Sequence, residues 1–147
     1  MKQGLIDLFE RDLLKLKSEL LAYQSEENIW SVSGNISNSA GTLVLHLIGN
    51  INHFIGAVIG HSGYIRDREA EFSLKDVPRN ELVKSIEDTI ETVKITLRSF
   101  PDEKLETLYP HAIFGEPMTY SYFIIHLYGH LDYHLGQVNY HRRLLQF

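Results

Sequence analysis

The sequence predicts an all-α fold: a four-helix bundle with long connections between helices 1 and 2, 2 and 3, and 3 and 4. Three observations carry this. Four segments of about 20 residues repeat apolar side chains at helical spacing. The stretches between them collect Gly, Pro, Ser and Asn, which interrupt regular structure. Strand patterning is weak everywhere, with room only for short pairing near 109–114.

The first helix is expected over residues 5–24, where Leu5, Leu8, Phe9, Leu13, Leu16 and Leu20 recur at helical spacing. Residues 25–39, SEENIWSVSGNISNS, read as a loop that Trp30 pins to the core. Ser39 or Ser37 is placed to cap a second helix over 40–59. A long connection follows over 60–80, with the charged run RDREAEF and then Pro78. Connections of that length are uncommon unless they do something. The third helix spans 81–100, with Leu82, Ile86, Ile90, Val93 and Leu97 on one side and Pro101 as its stop. Residues 102–118 hold Pro110, Gly115 and Pro117 and read as a second irregular connection. Thr119 is placed to cap the fourth helix, over 120–145. Four such helices describe a bundle, and 147 residues fit one domain, 1–147.

A net charge of -5 offers no basic face for phosphate, so nucleic acid is not an expected partner. The chain has no cysteine, which excludes disulfides, thiolate metal sites and a cysteine nucleophile. Any thiol chemistry must use a thiol from a small molecule. The charged N-terminal segment lacks the apolar core of a signal peptide. No uninterrupted apolar run approaches the roughly 20 residues of a membrane helix. A cytoplasmic location and no membrane partner are the resulting expectations.

The unusual feature is eight histidines. On the fourth helix His126, His130, His134, Gln137 and His141 fall within an arc of about 80° at 100° per residue. Leu127, Leu131, Leu135 and Val138 lie beside that arc, so the stripe borders the buried face. Histidines at i and i+4 have Cα atoms only about 6 Å apart and can share an ion. Both His126 with His130 and His130 with His134 qualify, and spacing does not choose between them. On the second helix His46, Asn50 and His53 form a similar polar line. His46 and His53 are about 10 Å apart along the axis, too far to share one ion. Either can complete a three-histidine site. A lone helical histidine is ordinarily a hydrogen-bonded core or surface residue. Packed imidazoles each need partners for two nitrogens and repel when protonated, and a metal resolves both problems. A ferritin-like di-iron site is excluded, because no Glu-x-x-His occurs.

The segment GHLDYHLGQVNYHRRLL, with His130, His134, Gly136 and Gln137, resembles the C-terminal signature of the DinB-like (YfiT-like) superfamily. LVLHLIGN, with His46, is similar to the context of that family's third ligand. WSVSGNISNSAGTLVLHLIGN followed by IRDREAEF looks like an uncharacterised branch of the same superfamily. The resemblance implies a four-helix bundle, commonly dimeric, with one divalent ion, zinc or nickel, held by His46, His130 and His134. It implies a metal-dependent transferase using a low-molecular-weight thiol of the bacillithiol type, or a hydrolase, or a bundle that binds metal without catalysis. In every case but the last the partner is a small-molecule substrate.

Three neutral imidazoles with a vacant position match an open catalytic site. Such an ion lowers the pKa of bound water to about 7, or stabilises a thiolate. Asn50 and Gln137 are candidates to orient a ligand, with a buried amide bonded to backbone as the plain alternative. Arg66 and Arg68 are candidates to clamp a substrate carboxylate; a network of surface ion pairs with Asp67 and Glu71 is the competing reading. Asp132 falls on another face of the helix.

Overall fold

The computed structural model describes residues 1–145. Helix α1, Lys2–Ala22, buries Ile6, Phe9, Leu13, Leu16 and Leu20 on the stripe its sequence predicts. The next stretch is not wholly irregular. Glu26–Ile29 forms a one-turn helix, α2, capped by Ser25, whose Oγ accepts the Asn28 N–H at 3.3 Å. Trp30 then packs on α3 where Gly41 leaves space; a Cβ there would stand 2.7 Å from indole ring carbons. The expected pinning of this loop by Trp30 is thus seen.

Helix α3, Ala40–Ile51, starts at Ser39, whose Oγ accepts the Thr42 N–H at 3.1 Å. The helix does not end at Ile51. It continues as a π-helix over Asn52–Ile59, with the Gly60 N–H donating to the Ile55 carbonyl at 3.0 Å. Asn52 ties this segment to the neighbouring helix through Thr89 Oγ1, at 2.8 Å. The whole stretch Ala40–Ile59 is long and apolar enough to cross a bilayer by length and composition, more than the sequence reading allowed. Its apolar side chains are accounted for in the core, where Val44, Leu47, Ile51 and Ile55 are fully buried.

Residues 60–78 hold a further short helix, α4, Arg68–Ser73, capped by Asp67. It packs on α3. Helix α5, Arg79–Ser99, buries Leu82, Ile86, Ile90, Val93 and Leu97, the face expected of it. A 3-10 turn at Asp102–Lys104 leads into a connection with one antiparallel bridge, Leu108 to Thr119. The Tyr109 N–H donates to the Met118 carbonyl at 2.9 Å there, and no strand forms among the described residues. Helix α6, Tyr120–Leu145, is capped by Thr119, whose Oγ1 accepts the Tyr122 N–H at 3.2 Å. Both α1 and α3 pack against α5 and α6, so the four long helices enclose one apolar core.

Candidate metal centre

The core face of α6 is Phe123, Ile124, Leu127, Leu131, Leu135 and Val138. His130 and His134 sit one turn apart at its edge, half-buried. His46 stands at the corresponding edge of α3, beside the buried Leu43 and Leu47. Where the two helices pack, the three imidazoles meet. His130 Nε2 lies 3.2 Å from His46 Nε2 and 3.1 Å from His134 Nε2. The rings stand nearly perpendicular to one another, at 80°, 88° and 89°. One nitrogen from each ring falls within 4.8 Å of the other two, an arrangement able to hold a metal ion.

The outward nitrogens decide what the inward ones can do. His46 Nδ1 donates to Glu71 Oε1 at 3.1 Å, and His134 Nδ1 donates to Gln137 Oε1 at 2.6 Å. A neutral imidazole carries one proton, so both Nε2 atoms are left as bare lone pairs. His130 Nε2 faces both of them and can donate to only one. At least one pair of nitrogens therefore meets without a proton between them, which a cation would relieve. The spacing fits: two ligands at 2.0–2.1 Å on a tetrahedral zinc stand about 3.3 Å apart.

Electrostatics favour the same state. Burial lowers the His46 pKa and outweighs the Glu71 carboxylate, which acts the other way. His130 falls to about 4, first through burial and then through the neighbouring His134, His46 and His126. Its ring is therefore neutral, and able to offer a lone pair, at neutral pH.

The other sequence candidates go elsewhere. His126 is exposed and packs on Phe114 and Phe123. His53, on the π-helix, packs on Phe54, and burial, then Arg66 and His111, lower its pKa. His141 donates from Nε2 to the Ser31 carbonyl at 2.8 Å and accepts the Tyr23 hydroxyl on Nδ1 at 2.6 Å. Asn50 is buried, and its Oδ1 has no partner among the described residues. Gln137 is the holder of His134. Arg66 directs its guanidinium at Glu71, with Nε and Nη2 each 2.8 Å from a carboxylate oxygen. Arg68 is exposed and lies 5.1 Å over the Phe72 ring, which itself packs 5.1 Å from His46.

Glu71 is the site residue that sequence reasoning missed. It sits inside the charged run of the 60–78 connection and is 6% exposed. A charged residue that deep is paired or costly. The one available signal was the length of the connection that carries it.

A cleft of about 580 Å³ opens beside His134 and Gln137. The loop residues Ser33, Asn35, Ser37 and Asn38 form one wall, and Tyr133, Tyr140 and Leu144 of α6 form another. None of its lining side chains is Lys, Arg, Asp or Glu.

No curated protein matches the chain. Among solved structures, YfiT from Bacillus subtilis superposes with a TM-score of 0.78 at 15% identity, over 99% of this chain and 88% of its own. That protein is described as a probable metal-dependent hydrolase with an unusual four-helix bundle topology. A DinB-like protein from Bacillus cereus superposes with a TM-score of 0.70 at 15% identity, over 97% of this chain and 91% of its own. At that identity the likeness is one of fold. The family described as protein of unknown function DUF1572 matches residues 5–146. The chain therefore belongs to the DUF1572 family, and its fold is the four-helix bundle of YfiT and the DinB-like protein.

Proposed function

We propose that this chain is a divalent-metal-dependent enzyme that transfers a group to or from a small thiol of the bacillithiol type. The observation that carries the reading is the open donor set: three inward Nε2 atoms, with no fourth protein ligand grouped with them among the described residues. Closed structural sites use four ligands, and catalytic ones keep a position free. Zinc or nickel suits imidazole donors. An ion so held supplies Lewis acidity, favouring the deprotonated form of an incoming thiol or water. The chain's own residues then have separate tasks. Glu71 and Gln137 hold two of the rings. Asn50, with an uncommitted carboxamide oxygen, accepts a hydrogen bond from the bound ligand. Arg66 is committed to Glu71, so Arg68 is the guanidinium we assign to a carboxylate on the thiol. The uncharged cleft beside His134 takes the neutral, ring-bearing part of the small-molecule substrate.

Metal-assisted hydrolysis is the second reading, favoured by the description of YfiT. Against it, the nearest carboxylate, Glu71, is already engaged by Arg66 and His46 and is not free to act as a base.

Purified protein is expected to carry one divalent ion per chain by elemental analysis. His46→Ala, His130→Ala and His134→Ala should each abolish it; occupancy that survives all three changes removes the site. Turnover of an electrophile that requires added bacillithiol supports transfer. Ester or amide cleavage without thiol points to hydrolysis, and metal binding without turnover of either kind to a non-catalytic bundle. A homodimer in the cytoplasm completes the proposal. Its interface is the solvent-facing side of α6, where Tyr122, Ile125, Tyr133, Tyr140 and Leu144 are exposed around Gly129 and Gly136.

A further inference from the structure

The residues that ligate come from α3 and α6, yet the hold on His46 comes from neither. It comes from α4, in the connection between α3 and α5. Glu71 Oε1 accepts the His46 Nδ1–H at 3.1 Å, and the same oxygen accepts from Arg66 Nη2 at 2.8 Å. Glu71 Oε2 accepts from Arg66 Nε at 2.8 Å, a two-pronged grip that leaves the carboxylate little freedom. The place it occupies exists because residue 49 is glycine. A Cβ on Gly49 would overlap Glu71 Oε2 and stand 2.5 Å from its carboxyl carbon. Gly49 does not need a left-handed backbone here; it lies inside α3, where Gly is ordinarily less favourable than Ala. Its use is the missing side chain.

We infer that Glu71 is the positioning residue of the metal centre, seated in the slot at Gly49 and clamped by Arg66, so that the 60–78 connection sets the strength of the site. The inference rests on the metal reading above. Three consequences of the contact support it. The carboxylate fixes the Nδ1–H tautomer of His46, which leaves Nε2 as the donor. It fixes the plane of the ring, which stands nearly perpendicular to both neighbouring imidazoles. It also strengthens the ring as a donor, since a hydrogen-bonded carboxylate draws on the Nδ1 proton. Arg66 keeps the buried carboxylate from being an uncompensated charge.

The test measures zinc affinity by competition with a chelating indicator, on protein stripped and reloaded. Glu71→Gln keeps an oxygen that can accept from Nδ1 but loses the charge and the Arg66 clamp. It is expected to weaken zinc binding by about 10–100-fold, the usual effect of removing such a partner. Gly49→Ala leaves Glu71 in the chain but closes its slot, and should weaken binding in the same direction. Glu69→Gln, an exposed change on the same short helix, should leave affinity unaltered. Imidazole ¹⁵N shifts of the metal-free protein give a readout that a merely structural role would not move. His46 should be the Nδ1–H tautomer in the parent, hold that preference more weakly in Glu71→Gln, and lose it in Gly49→Ala. Zinc affinities within twofold of the parent in both variants, with His46 unchanged, overturn the inference while leaving the metal reading intact. A parent protein that binds no divalent ion overturns both.

Discussion

Asp12 shows how strongly one residue can tie the bundle together. It lies on the inner face of α1 with no exposure, and an isolated carboxylate there would be prohibitive. Arg11 donates to it twice, at 2.7 and 2.9 Å, and the Tyr128 hydroxyl of α6 donates at 2.8 Å. Arg11 chiefly, with Tyr128 and Lys15, holds its pKa down to about 2 against the opposing effect of burial. A depressed acid contributes stability above its unfolded pKa, near 4, and that contribution fades as pH falls through about 2. Asp12→Asn is therefore expected to cost about 2 kcal/mol at neutral pH and progressively less towards pH 2. Urea titrations at the two ends of that range check it. At this scale the histidines were partly legible. The i, i+4 spacing named His130 and His134 together with the competing His126, and only the resemblance to a known signature singled out His46. Glu71 was not legible. A carboxylate in a run of charges looks solvated, and its meaning depends on α4 folding back over Gly49, 25 residues beyond His46.

At the scale of elements, the apolar period located all four long helices, because each buries a continuous stripe. It could not tell α from π winding over Asn52–Ile59, since the stretch is apolar on most sides either way. Nor could it find the short helices α2 and α4, which are set by the caps Ser25 and Asp67 and by packing on neighbours, not by periodicity. Caps are where local chemistry is most readable. Ser39 is fully buried, and its hydroxyl serves both the Thr42 N–H and Thr42 Oγ1. Ser39→Ala is expected to lower stability by about 1 kcal/mol, with Ser39→Asn closer to the parent. Thermal or denaturant unfolding measures the difference. Because α3 carries His46, a loosened first turn should also weaken metal binding, by less than the loss of a ligand.

For the molecule as a whole, α6 divides its surface three ways. One side is core, the edge carries the histidines, and the remaining side presents Tyr133 and Tyr140, each 66% exposed. Gly129 and Gly136 have nothing near them on that side, so another helix could approach closely. With the histidine edge and the cleft adjoining this face, a second copy seated there would also wall the site. Light scattering should give twice the chain mass for the parent and the chain mass for a Tyr133→Glu, Tyr140→Glu double variant. A parent that runs as a monomer at micromolar concentration removes the dimer from the proposal.

The distance between ligands along the chain has a consequence in time. His46 and His130 are 84 residues apart. At about 5–20 residues per second, synthesis separates their appearance by on the order of ten seconds. During that interval a nascent chain offers a passing ion one imidazole of the three. Glu71 emerges only 25 residues after His46, so the carboxylate can engage its ring before either α6 ligand has been made. On the metal reading proposed above, the three-ligand set is complete only once the last helix docks, so a loaded centre would mark a chain that has finished folding.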